Sequence, residues 1–126
     1  MSLRAAYTQS DSWPPRGLNP SQLVRVTDYM HVELEGAMPL TELAALVQLS
    51  PSHFARQFKR TMGVPPHQFV IRLRVERAKR LLRQGICIKE AAFTCGFASQ
   101  EHLTHAFRRI AKTTPGQFQR ACRKAA

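Results

Sequence analysis

Between Gly96 and Arg109 the chain reads GFASQEHLTHAFRR. Ser99, Gln100, Glu101, His102, Thr104 and His105 are compact hydrogen-bonding side chains, and Arg108 and Arg109 follow them. An ordinary solvated helix face is mostly Lys and Glu. The set here suits base edges: Gln pairs bidentately with adenine, Arg with guanine, Glu accepts from cytosine, and Ser, Thr and His adapt. Arginines further along suit phosphate, which sets affinity and orientation rather than sequence. A second stretch, LSPSHFARQFKR from Leu49 to Arg60, offers a shorter version. Its outward positions are Ser52, Ala55, Arg56 and Lys59.

Such side chains need a rod that holds them on one face. In the first quoted stretch Leu103, Ala106, Phe107 and Ile110 fall at core-facing helical spacing. In the second, Phe54, Phe58 and Met62 do so, after Ser50 as N-cap and Pro51 at the first helical position. Gly63 can close that helix in the left-handed conformation. A short helix precedes each rod, about Leu40 to Val47 and about Ile88 to Thr94, with turns through Gln48-Leu49 and Gly96. The order short helix, turn, capped helix is a helix-turn-helix.

The unit is built twice. Shifted by 48, Leu40, Glu42, Ala44, Val47 and Leu49 meet Ile88, Glu90, Ala92, Cys95 and Phe97. Shifted by 49, Ser50, Phe54, Phe58, Lys59, Arg60, Pro66 and Phe69 meet Ser99, Leu103, Phe107, Arg108, Arg109, Pro115 and Phe118. One residue is inserted near Ala98. Between the units a helix from Pro66 to about Leu82 is apolar over more than half its circumference, as a connector contacted from two sides would be. Arg72, Lys79, Arg80 and Arg83 form a charge stripe on its remaining arc.

An earlier helix starts near Ser21, read as its N-cap, with Leu23, Val24, Val26, Tyr29 and Met30 at helical spacing. A last helix starts at Pro115. Residues 1–20, with Trp13-Pro14-Pro15, Gly17 and Asn19-Pro20, read as a tail or linker. The expected fold is all-α, about seven helices: two helix-turn-helix subdomains joined by a long central helix. The domain is expected over 21–126, with the first helix-turn-helix at about 40–62, the linker helix at about 66–82 and the second at about 88–111.

Charge agrees with this chemistry and is lopsided. Residues 1–55 hold three Arg/Lys against five Asp/Glu, net −2, whereas residues 56–126 hold sixteen against three, net +13. A basic half of that density attracts polyanions, nucleic acid first. No apolar run can span a membrane, and residues 1–15 carry no signal-type apolar segment. Cys87, Cys95 and Cys122 form neither an even set nor a CxxC, which points to a reduced, cytoplasmic setting. His102 and His105 with Cys95 match no zinc spacing, so no metal or cofactor is expected. No Ser/His/Asp or Cys/His spacing and no Gly-rich phosphate loop marks an enzyme.

Ala44, the LSPSHFARQFKR run, Gly63 and Pro66 in the first unit, and Ala92, the CGFASQEHLTHAFRR run, Pro115 and Phe118 in the second, carry a strong resemblance. From about Ser21 to Arg120 the chain resembles the DNA-binding domain of the AraC/XylS family of bacterial transcription regulators. The resemblance implies promoter binding and activation or repression through contact with RNA polymerase. Four positions depart from the family pattern. Lys112 stands where Gly is usual, Gln119 where an Arg often follows the aromatic, and Pro39 and Cys87 where Ser or Thr caps are common. A lysine in a left-handed cap costs on the order of 1 kcal/mol.

Base reading is thus expected of Ser52, Arg56, Gln100, Glu101, His102, Thr104 and His105. Phosphate contact is expected of Ser50, Lys59, Arg60, Ser99, Arg108 and Arg109. The partners expected are double-stranded promoter DNA and RNA polymerase, met by a monomeric, nucleoid-associated DNA-binding unit. The alternative reading is a basic helical interaction module that contacts polymerase or an acidic partner with little DNA specificity.

Overall fold

The computed structural model describes residues 17–125. Among them are seven α-helices and no strand. They are α1 (Pro20–Val32), α2 (Leu40–Ala45), α3 (Pro51–Met62), α4 (Pro66–Arg83), α5 (Ile88–Thr94), α6 (Gln100–Ala111) and α7 (Pro115–Ala125). Residues 1–16 of the expected tail lie outside the described residues. The described chain divides into two compact units, one of residues up to 29 with 39–66, the other of 30–38 with the residues from 67 onward. The chain passes from the first helix-turn-helix to the second through α4.

Caps explain where the helices begin. Ser50 Oγ accepts from the His53 amide at 3.2 Å, and Ser99 Oγ from the His102 amide at 3.0 Å. Asn19, not Ser21, caps α1. Its Oδ1 accepts from the Gln22 amide at 2.8 Å while Gln22 Oε1 accepts from the Asn19 amide at 3.0 Å, with Pro20 at the first helical position. Thr114 and Gln117 make the same reciprocal pair ahead of α7. Pro39 and Cys87, by contrast, supply no side-chain cap, and α2 and α5 start with only Glu42 and Glu90 in their first turns to favour the dipole.

In the first unit α2 packs on α3. Leu43, Ala44, Val47, Phe54 and Phe58 are buried, and the two Phe rings lie 5.8 Å apart. Leu18, which falls within the expected tail, is 1% exposed, and its amide donates to Thr61 Oγ1 at 2.8 Å. The neighbouring Gly17 amide donates to Gln57 Oε1. These bonds fasten residues 17 and 18 to Gln57 and Thr61 of α3. Val24 sits at helical spacing but is exposed, unlike Val26 and Met30.

In the second unit Ile71, Val75, Ala78 and Leu82 of α4 join Ala91, Ala92, Cys95, Phe97, Leu103, Ala106 and Phe107 in one core. Phe118 of α7 meets Phe107 edge-on at 5.4 Å, and the Arg83 guanidinium lies over the Phe118 ring, 5.3 Å from its centroid. Arg74 lies on the apolar arc of α4, buried, with Nε donating to the Leu34 carbonyl at 3.1 Å and a terminal NH2 to the Gly36 carbonyl at 2.9 Å. Gln119 is also buried. Its Nε2 donates to the Leu82 and Ile86 carbonyls at 3.1 and 2.8 Å and so closes the C-terminal end of α4.

Candidate nucleic-acid interface

The two rods expose what their sequences reserve for contact. On α3 Ser52, Arg56, Lys59 and Arg60 are exposed, opposite the buried Phe54 and Phe58. Neither Arg56 nor Lys59 has a carboxylate partner among the described residues. Gln57 is half-buried and bridges Gly17 and the His53 ring. His53 therefore packs along its own helix, as its position beside the cap suggests.

On α6 Gln100, Glu101, Thr104, His105, Arg108 and Arg109 line one open groove of about 650 Å³. All except the half-buried Thr104 are exposed. Leu103, Ala106 and Phe107 anchor the opposite face in the core at 0–2% exposure, which fixes the rod's rotation. His102 lies outside the groove, its ring edge-on to Phe97 at 5.3 Å. Six of the expected base readers and phosphate residues of this unit are thereby brought together, while His102 and Ser99 stand outside the groove. Ser50 and Ser99 are exposed, with their oxygens engaged by backbone amides and their hydroxyl protons left for an acceptor.

The turns that set the rods are left-handed at one residue each: Gln48 at φ 58° and Gly96 at φ 88°. The rods end alike, at Gly63 with φ 83° and Lys112 with φ 63°. The Gly63 amide donates to the Lys59 carbonyl at 2.7 Å and the Lys112 amide to the Arg108 carbonyl at 3.0 Å, so lysine accepts the cap geometry that glycine takes in the first unit.

Arg74 and Gln119 are positioning residues outside the expected site. Arg74 had a signal, a cation spaced among Val70, Ile71, Val75 and Ala78; Gln119 had none, because its carbonyl partners are 33 and 37 residues away. Among the described residues no three His, Cys, Asp or Glu side chains gather as a metal site, and no helix is long and apolar enough to cross a membrane.

A family model described as a helix-turn-helix domain matches residues 43–121. The probable transcriptional regulator LumQ of Photobacterium leiognathi is 34% identical over 98 residues, covering 77% of this chain and 40% of that protein. The HTH-type transcriptional regulator GlxA of Rhizobium meliloti (strain 1021) is 33% identical over 105 residues, covering 82% and 32%. The chain thus spans less than half the length of either curated relative. Among solved structures, the DNA-binding domain of the global transcriptional factor AdpA, in complex with a target DNA, superposes with a TM-score of 0.78 at 31% identity, covering 82% of this chain and 95% of that one. A Chromobacterium violaceum transcriptional regulator with an AraC-type DNA-binding domain gives 0.75 at 26% identity, covering 81% and 92%. Doubled capped rods, paired left-handed turns and these likenesses together place the chain in the family of AraC-type helix-turn-helix transcriptional regulators.

Proposed function

We propose that this chain is a sequence-specific double-stranded DNA-binding transcription regulator. Its two reading rods, α3 and α6, enter adjacent major-groove segments. The observation that carries this reading is the α6 groove: six hydrogen-bonding or cationic side chains face outward from a rod whose other face is fixed in the core. In a helix-turn-helix the second helix lies in the major groove and its N-terminal residues meet base edges. Gln100, Glu101, Thr104 and His105 read bases there, with His102 at the edge; Ser52 and Arg56 read in the first unit. Ser50, Lys59, Arg60, Ser99, Arg108 and Arg109 hold phosphates.

The helix-turn-helix segments at about 40–62 and 88–111 are the working units of the domain expected over 21–126, to which the buried Leu18 and the capping Asn19 add a few residues at its start. The two reading sets differ, so the DNA site is asymmetric. Its halves lie about one turn apart, roughly 10 bp, with bending wherever straight DNA does not match the rods. The site works in the cytoplasm on promoter DNA, as a monomeric binding unit without enzymatic chemistry, and acts on transcription by contacting RNA polymerase.

Selection of bound duplexes from a random pool tests this. Two unlike half-sites about a turn apart, retained at about 150 mM salt against excess random DNA, are the expected result. Binding that vanishes with salt and favours no sequence would instead support a basic interaction module.

A further inference from the structure

The charge stripe on α4 is not one feature. Lys79 Nζ is paired with Glu76 Oε2 at 3.1 Å, and Arg83 lies over the Phe118 ring. Arg72 does neither. It lines a separate cleft of about 330 Å³ with Gln68, Arg109, Ile110 and Lys112. The cleft holds three cations and no carboxylate, and none of the three has an ion-pair partner among the described residues. Arg109 also lines the α6 groove, so the cleft continues the reading face.

Lys112 is the informative member. It keeps a left-handed backbone at φ 63°, a conformation that costs a non-glycine residue stability and that Gly63 fills without strain in the first unit. The strain at this position directs attention to what its side chain does that glycine could not. Here the side chain adds an ammonium to two guanidinium groups, and three like charges in one cleft repel one another unless an anion sits between them.

We infer that the Arg72, Arg109 and Lys112 cleft takes one backbone phosphate of the duplex flanking the segment that α6 reads, with Gln68 as a neutral donor. The inference rests on the duplex-binding reading and adds two residues, Arg72 and Lys112, to the phosphate contacts proposed for the second unit.

The test uses the full chain and the duplex recovered by selection, with affinity followed between about 50 and 200 mM salt. Lys112→Gly and Arg72→Ala should each weaken binding several-fold without altering base preference. Together they should make the slope of log affinity against log salt shallower by about 0.9. Lys112→Gly should at the same time raise the melting temperature, because the strain is relieved. Opposite signs on stability and binding separate phosphate loss from fold damage. In a scan of single neutral methylphosphonates, one position should weaken the parent as much as the double substitution does, and should leave the double variant unaffected. An unchanged salt slope, or losses that add at every methylphosphonate position, overturns the cleft assignment while the duplex reading stands. A parent chain without sequence preference overturns both.

Discussion

Arg74 donates from Nε to the Leu34 carbonyl at 3.1 Å in a space that Gly96 leaves open. A Cβ added at Gly96 would come within 2.5 Å of the Leu34 oxygen and 3.0 Å of Arg74 Nε. The turn before α6 is therefore locked to the segment after α1 by a missing side chain and one buried guanidinium.

Gly96→Ala should accordingly lose roughly 2–5 kcal/mol, from left-handed strain plus overpacking against backbone. Gln48→Gly at the equivalent turn should move the other way. Gln48 is exposed and already left-handed at φ 58°, so glycine relieves strain and loses no packing, for a net gain of about 0.5 kcal/mol after its own entropy cost. Denaturant unfolding of both variants checks the pair; equal effects would mean that the two turns are under the same constraint.

Gln119 offers a sharper probe of how α4 ends. Gln119→Leu removes the donor from the Leu82 and Ile86 carbonyls and should cost about 1–3 kcal/mol. Gln119→Glu keeps the shape but faces a carboxylate to two carbonyl oxygens. It should cost more at neutral pH and recover toward acid, as the protonated carboxyl regains a donor. Thermal melts at two pH values decide this; a pH-independent loss would mean that the polar end does not carry the role.

The helices and their outer faces were legible because apolar spacing, Ser-Pro starts and left-handed ends are local signals. Phe54, Phe58, Leu103 and Phe107 announce one face, and the reading residues follow by exclusion. What was not legible depends on distant partners. Val24 shares the spacing of Val26 and Met30 yet is exposed, because periodicity does not say how wide a stripe the neighbours cover. Arg74 looks like surface charge until the Leu34 and Gly36 carbonyls, 40 and 38 residues away, are known to need a donor. Asn19 was obscured by Ser21, an equally plausible cap in the wrong register. Lys112 departs from the usual glycine and keeps the left-handed backbone that glycine would take, but the cleft it shares with Arg72 is set by the fold.

Cys95 gives stability a pH dependence on the alkaline side. The side chain is fully buried beside Arg77, Arg80 and Arg74, and burial outweighs those charges, pushing the thiol from 9.0 up to about 11. Between these values the unfolded chain releases its proton while the folded chain keeps it. Folding stability therefore falls as pH rises through that window and is unaffected by this group well below pH 9. Cys95→Ala should flatten that part of the profile, although the lost packing lowers stability throughout. A thiol reagent should label exposed Cys87 quickly and Cys95 only on unfolding. Rapid labelling of Cys95 in the native state would contradict the burial on which the shift depends.

Arg56 and Lys59 separate reading from gripping within one rod. Both are exposed on α3, three residues apart, and neither is tied to a carboxylate among the described residues. Removing either therefore leaves the Phe54 and Phe58 core intact, and the folded population should not change measurably. Arg56 lies toward the N-terminal half of the rod, where base edges are reached, and its guanidinium fits guanine bidentately. Arg56→Ala should cost about 1–3 kcal/mol on the preferred duplex and relax selection at one base pair. Lys59 sits in the last turn, where a flexible ammonium meets backbone charge. Lys59→Ala should weaken all sequences alike and make the salt slope shallower by about 1. Affinities on the preferred duplex and on a duplex changed at one base pair, each at two salt concentrations, resolve the two terms. If both variants lose the same factor on every duplex, Arg56 grips rather than reads and base selection in this unit must fall to Ser52 or to the shape of the DNA.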